Sequence, residues 1–148
     1  MKKKFSLLLF LIFILFFSAC DKETNLYDLK TNLTNEDKVL KIIETLNWSH
    51  LEFKDFEIED KDLIIFFEGE NDLKRDPKAV FANSVLLNIL IEDLENLSLY
   101  NDELIFGIDT EGTEMILEIN FDKNIEDYRN SKDELNKLPK KLNKIKIE

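Results

Sequence analysis

The first regular element that the hydrophobic pattern predicts is a helix ending near Asn47. Apolar residues between Val39 and Leu46 recur at helical spacing, so they would share one face of that helix. Thr34 followed by Asp37 is typical of a helix start. The pattern therefore begins with an amphipathic helix.

Residues 51–68 alternate between apolar and polar side chains in the manner of a β-hairpin. The alternation changes phase at Asp55, and a slip of one residue would turn side chains to the wrong face, so we predict a β-bulge there. The turn is predicted at the Asp-Lys-Asp sequence of residues 60–62. The run from Leu63 to Phe67 is apolar at every position, which predicts a strand that is covered on both faces.

A long central helix is predicted to start at Asp76-Pro77 and to end at about Asn96. Its main apolar stripe consists of Val80, Leu87, Leu90, Ile91, Leu94 and Leu97. A second stripe on the opposite side consists of Phe81, Val85 and Ile89. The first stripe would pack on a sheet, and the second needs another cover. A terminal helix is the favoured cover, and a partner protein or a second copy of the chain are the alternatives.

The sequence ELIFGIDTEGTEMILEINF predicts a second hairpin with Glu111-Gly112 at its turn. The predicted cross-strand pairs are Ile108 with Met115, Phe106 with Leu117, and Leu104 with Ile119. Helix returns after Asn124, and Pro139 is expected to interrupt it.

These elements predict an α+β fold in the order α-ββ-α-ββ-α. The economical arrangement is a four-stranded antiparallel sheet built from two hairpins, with the long central helix on one face. We expect the terminal helices to cover part of the other face. The order of the strands within the sheet stays open.

The N-terminus has the pattern of a secretory signal peptide. Three lysines at positions 2–4 precede an apolar run from Leu7 to Phe17, and small residues follow the run. A transmembrane helix needs about 20 apolar residues, so this run is too short to span the membrane as a stable helix.

The sequence Phe17-Ser18-Ala19-Cys20 resembles the lipobox of bacterial lipoproteins, although that family favours leucine where Phe17 stands. The resemblance covers residues 1–20 only. It implies that the chain is cleaved before Cys20 and that Cys20 carries fatty acyl chains on the extracytoplasmic side of the cell membrane. Asp21 resembles the signal that retains some Gram-negative lipoproteins in the inner membrane.

The resulting division is a signal peptide at 1–19, a lipidated cysteine and tether at 20–34, and a single acidic domain at 35–148. Two other interpretations of the N-terminus remain. The segment could be an ordinary signal peptide that is cut elsewhere. Cys20, which is the only cysteine of the chain, could also be a small buried hydrophobe or half of an intermolecular disulfide.

The net charge of the chain limits the classes of molecule that it could bind. The chain has a net charge of −11, which becomes −14 once the three N-terminal lysines are removed. Residues 129–148 are locally basic, so the acidic charge is concentrated in the rest of the chain. Such a surface repels nucleic acid and favours cationic partners, although plain solubility would also explain it.

The sequence contains few residues that indicate catalysis or a cofactor. The single histidine, His50, more closely fits a helix-to-strand junction, and the three glycines are too scattered for a phosphate-binding loop. The acidic stretches 55–62 and 68–72 lack the spacing of a calcium loop. We therefore expect no catalytic residues, no metal site and no cofactor.

The leading hypothesis is a lipid-anchored, non-enzymatic binding or adaptor domain, one form of which would be an immunity-type inhibitor of a basic protein. The predicted contact residues are Asp55, Glu57, Glu59 and Asp62, or the stripe Phe81, Val85 and Ile89. The alternatives are an envelope enzyme that uses paired carboxylates and a structural component that oligomerises through the stripe. The sequence does not indicate an oligomeric state.

Overall fold

The computed structural model describes residues 25–68 and 77–147. This part of the chain forms an α+β domain with four strands and five α-helices. The strands are β1 (Glu52–Glu59), β2 (Asp62–Glu68), β3 (Asn96–Asn101) and β4 (Glu103–Asp109). The helices are α1 (Glu36–Thr45), α2 (Pro77–Leu90), α3 (Thr110–Phe121), α4 (Ile125–Arg129) and α5 (Lys132–Leu142). The element order is therefore α-ββ-α-ββ followed by three helices, rather than by one.

The four strands form one mixed sheet in the order β1-β2-β3-β4. The β1–β2 hairpin confirms the sequence prediction, including the bulge between Phe53 and Asp55. The prediction of an entirely antiparallel sheet is wrong, because β2 and β3 are parallel. Parallel neighbours need a long crossover connection, and the segment that contains α2 supplies it.

The second hairpin was predicted in the wrong place. The structure pairs β3 with β4 around a turn at Asp102, and β4 ends at Asp109. The side chain of Asp109 then caps α3 by accepting a hydrogen bond from the amide of Gly112 at 2.6 Å. The predicted pairs across Glu111-Gly112 do not form, because residues 110–121 are helical and bury Thr113 and Leu117 at i, i+4 spacing.

Helix α2 starts at Pro77 as predicted but ends at Leu90, six residues before the predicted end. The carbonyl groups at its end have tertiary partners. The guanidinium of Arg129 donates to the carbonyl oxygens of Asn88, Ile89 and Ile91, and the amide of Thr31 donates to that of Leu90. These contacts satisfy the groups that a longer helix would have bonded internally.

Part of the predicted tether belongs to the folded domain. Residues 26–29 form a 3-10 turn, and Leu26, Leu29 and Leu33 are buried. Thr31 also pairs with Ile91 in an isolated parallel bridge. The predicted boundary between tether and domain at residue 34 is therefore too late, since the described chain packs on the domain from its first residues.

Helix α2 occupies the centre of the domain, and every residue from Ala82 to Leu90 is buried. It contacts β4 and α3 as well as the terminal helices α4 and α5. The terminal helices thus cover α2 rather than the second face of the sheet, which contradicts the predicted arrangement. Pro139 lies within α5 and does not interrupt it, so Leu135, Leu138 and Leu142 share one buried face. No helix within residues 25–68 and 77–147 is long and apolar enough to span a membrane.

Candidate functional site: the open face of the sheet

Alternate residues of the central strands divide the sheet into two different faces. Leu63, Ile65 and Phe67 of β2 are at most 3% exposed, whereas Ile64 and Phe66 between them are only half-buried. The same alternation separates buried Leu97 and Leu99 of β3 from half-buried Ser98 and Tyr100. We call the buried side the closed face and the half-buried side the open face.

The strand register arranges the open face in rows that run across the sheet. The first row consists of Glu59, Asp62, Asn96 and Asp109; the second of Glu57, Ile64, Ser98 and Gly107; the third of Asp55, Phe66, Tyr100 and Leu104. Glu52 and Glu68 face each other at the end of the β1–β2 pair. Apolar and small side chains therefore occupy the middle of the face, and carboxylates occupy the β1 side and the ends.

An aromatic pair forms the centre of the third row. The rings of Phe66 and Tyr100 lie 5.9 Å apart between centroids and are tilted by 32°. The pair lines a shallow cavity of about 300 Å³ together with Lys54, Asp55, Glu57, Phe67 and Asp102. Asp102 sits in the β3–β4 turn with a φ of 60°, a left-handed conformation that aspartate tolerates better than most residues. Aromatic rings and carboxylates thus border one concave surface, and the lysine at its edge, Lys54, is paired with Glu68.

The carboxylates of the open face have few cationic neighbours. Glu59 and Asp62 are directly opposite each other in the register, as are Glu52 and Glu68. Among residues 25–68 and 77–147, one ion pair crosses this region, between Lys54 and Glu68 at 3.2 Å, and both side chains are largely exposed. Like charges directly opposite each other on a sheet are destabilising, so this arrangement does not contribute to stability.

Lys61, in the β1–β2 turn, pairs with Glu95 outside the open face, and this hydrogen bond raises the pKa of Lys61. The side-chain amide of Asn96 donates to the carboxylate of Asp62 at 2.6 Å. The negative charge of Asp55, Glu57 and Glu59 is consequently left available to solvent or to a partner, because no ion pair involves these three residues within the described chain.

The structure brings together four of the predicted contact residues and separates the others. Asp55, Glu57, Glu59 and Asp62 all lie on the open face. Val85 and Ile89 are fully buried and Phe81 is half-buried, so the α2 stripe does not form an exposed contact surface. Its cover includes the terminal helices, which was the favoured alternative. Cys20 lies outside the described residues.

The aromatic part of the site was not among the predicted residues. Phe66 was assigned to a strand covered on both faces, and Tyr100 follows a helix that was predicted to be too long. One signal was present in the sequence. The two hydrophobic residues Ile64 and Phe66 face the acidic side of β1 in the predicted hairpin, so an apolar strip beside the acids could have been read from it.

His50 lies at the junction between α1 and β1, as expected, and neither ring nitrogen has a hydrogen-bond partner in the described part of the chain. Residues 25–68 and 77–147 contain no group of three or more His, Cys, Asp or Glu side chains that could hold a metal ion. Another cavity, of about 380 Å³, lies where Leu26, Leu46, Leu86 and Pro139 meet, and no charged residue lines it. The open face is therefore the better candidate, since it combines apolar and charged groups.

Comparisons of this chain with protein-family models, with curated proteins and with solved structures gave no match.

Proposed function

We propose that this protein is a lipid-anchored, non-enzymatic binding domain of a bacterial envelope, and that the open face of its sheet binds a cationic partner protein. The observation that carries the proposal is the aromatic strip of Phe66 and Tyr100 beside the carboxylates of Asp55 and Glu57, which form no ion pair with any residue that the structure describes. A lysine or arginine side chain can interact with both parts of this surface, since its positive charge attracts the carboxylates and also the faces of the aromatic rings.

The physical basis is the combination of two attractions. A cation over an aromatic ring gains about 0.5–1 kcal/mol at an exposed site, and more when it is desolvated. The acidic charge of the domain also accelerates encounter with a basic protein, an effect that falls steeply as salt increases. A partner of this kind would bind through Coulomb attraction at the acidic side of β1 and through contact with the apolar middle of the face.

Binding is favoured over catalysis by the exposure of the acids. Carboxylates that act as a general acid and base need environments that separate their pKa values, usually by burial of one of them. Asp55 and Glu57 are both exposed, and the cavity beside them is shallow. The surface therefore suits recognition of charge better than hydrolysis.

The lipid anchor remains a proposal based on the resemblance of residues 17–20 to a lipobox. Only residues 21–24 separate Cys20 from Asn25, where the described domain begins. From Cys20 to Asn25 the backbone spans at most about 18 Å. An acylated Cys20 would therefore hold the domain against the membrane surface instead of lifting it far into the surrounding space.

Partner capture by the native, detergent-solubilised protein tests the proposed binding surface. The test variant is Asp55→Lys/Glu57→Lys, and the matched control is Glu44→Lys/Glu118→Lys, which makes the same charge change at exposed positions of α1 and α3. We expect wild type and control to retain a basic protein at low salt. The test variant should lose it by at least tenfold, and about 0.3 M salt should release it from the wild type.

Two results would contradict the binding proposal. One is the absence of any captured protein at low salt, and the other is equal capture by the test and control variants. Mass spectrometry of the purified native protein tests the anchor separately. We expect a mature chain that begins at Cys20 and carries diacylglycerol, and an unmodified thiol would refute the anchor.

A further inference from the structure

The described chain enters the domain beside the C-terminal helix α5. The amide of Leu26 donates to the side-chain oxygen of Asn136 at 3.0 Å, and the side-chain amide of Asn136 donates to Asn25 at 3.1 Å. The 3-10 turn of residues 26–29 also packs against α5. Any anchor that precedes residue 25 therefore holds α5, more than any other helix, close to the membrane.

The exposed side of α5 is basic. Leu135, Leu138 and Leu142 point into the core, and the exposed lysines of the helix and the residues after it are Lys132, Lys137, Lys140, Lys144 and Lys146. The acidic residues of α5 cancel only part of this charge. Asp133 pairs with Lys137, and Glu134 lies between Lys123 and Lys141, where the hydrogen bond from Lys141 lowers the pKa of Glu134.

We propose that the exposed lysine side of α5 lies on the anionic surface of the bilayer. This inference rests on the lipid anchor of the proposed function. Two observations select this occupant: the short chain between Cys20 and Asn25, and the match between lysines and anionic lipid head groups. A basic residue held near an anionic membrane strengthens attachment about fivefold, and the effect needs proximity of about a Debye length, near 8–10 Å.

The orientation that follows places the two charged regions on opposite sides. Helix α2 is buried from Ala82 to Leu90 and contacts β4 as well as α5, so it lies between the sheet and the C-terminal helix. With α5 on the bilayer, the open face points away from the membrane. Its carboxylates avoid the anionic surface and remain accessible to a partner.

The test uses the native acylated protein in vesicles of phosphatidylcholine alone, or of phosphatidylcholine with 30% phosphatidylglycerol. Asn143→Cys, at the end of α5, and Ser98→Cys, on the open face, each carry a fluorophore, and spin-labelled head groups act as the quencher. We expect quenching at position 143 to increase at least threefold with phosphatidylglycerol. Quenching at position 98 should stay low in both vesicles.

A charge-reversal pair completes the test. Lys132→Glu/Lys144→Glu should abolish the increase at position 143, whereas Lys38→Glu/Lys41→Glu on exposed positions of α1 should preserve it. Equal quenching at positions 143 and 98, or no effect of the α5 reversal, would overturn this proposal while leaving an acylated Cys20 intact. An unmodified Cys20 in the same preparation would overturn the anchor and this inference together.

Discussion

The two faces of the sheet differ although the same strands build them. In β2, Ile65 is fully buried and its neighbour Ile64 is only half-buried, and Phe67 and Phe66 repeat the difference. Phe67 packs against Trp48 with ring centroids 4.9 Å apart, whereas Phe66 pairs with Tyr100 beside exposed acids. Identical residue types thus serve the core on one face and remain available to solvent on the other.

This difference separates residues that maintain the fold from residues that are free to bind. The closed face is continuous with a core that includes α1, α2 and the terminal helices. The open face carries like charges opposite each other, which the fold does not need. The same substitution at two neighbouring positions of one strand can therefore separate the role in maintaining the fold from the role in binding.

The largest expected difference is between Ile65→Ala and Ile64→Ala. The first creates a cavity in the closed face and should lower the free energy of unfolding by about 2–5 kcal/mol, whereas the second should cost about 1 kcal/mol or less. Urea unfolding monitored by circular dichroism measures both, with equal m-values as the check that the denatured state is unchanged. Similar losses at the two positions would show that another surface covers the open face in solution.

The buried hydroxyl of Tyr128 makes the stability of the core depend on pH. Tyr128 is fully buried, and this burial raises the pKa of its hydroxyl from 10.0 to about 12. The unfolded chain therefore loses this proton first, and between about pH 10 and pH 12 stability falls by up to about 1.4 kcal/mol per pH unit. Below pH 10 both states hold the proton, so the contribution to stability is complete there.

Tyr128→Phe is the control for that pH window, because it removes the ionisable group and keeps the ring. Thermal unfolding at pH 9, 10 and 11 should show a smaller alkaline loss in Tyr128→Phe than in the wild type. Parallel curves for the two proteins would mean that the hydroxyl is accessible to solvent, which would contradict its burial in the core.

The sequence predictions succeeded where the signals are local and failed where the structure depends on contacts between distant residues. The β1–β2 hairpin and its bulge could be predicted because the signals are local: alternation, a change of phase and an acidic turn. The shared face of Asp55, Glu57 and Glu59 followed from that alternation, whereas Asp62, which starts β2, was placed in the turn. The strand β3 was not predicted, because Leu97 continues the apolar stripe of α2 and the helix end depends on Arg129 and Thr31, which are distant in sequence.

The wrong second hairpin has a related cause. Residues 104–119 alternate as a strand would, and the helical alternative leaves Met115 and Ile119 exposed at 56% and 76%. Local pattern alone therefore favours the hairpin. The helix is supported instead by the cap at Asp109, by burial of Leu117, and by the hydrogen bond from Thr110 to the carbonyl of Leu94 at 2.7 Å. Two of these three interactions depend on the assembled fold.

A smaller change in stability is expected when a hydroxyl group is removed from the core, at Thr113, or from the open face, at Ser98. The hydroxyl of Thr113 is buried and has no hydrogen-bond partner in the described part of the chain. Thr113→Val keeps the shape and removes an unsatisfied group, so stability should stay within about 1 kcal/mol of the wild type or increase. Chemical denaturation measures it, with Ser98→Val on the open face for comparison. A loss of about 2 kcal/mol or more at Thr113 would reveal a buried water bonded to its hydroxyl.

The smallest expected effect is a gain in stability on the open face. Glu59 stands directly opposite Asp62, so Glu59→Gln removes a repulsion and should stabilise the domain by a few tenths of a kcal/mol. Glu44→Gln, at an exposed position of α1, is the matched control and should have no comparable effect. The gain at Glu59 should also shrink in high salt, which screens the repulsion. A loss of stability in Glu59→Gln would mean that this carboxylate supports the fold. A structural role would then account for the acidic side chains of β1 without any binding partner.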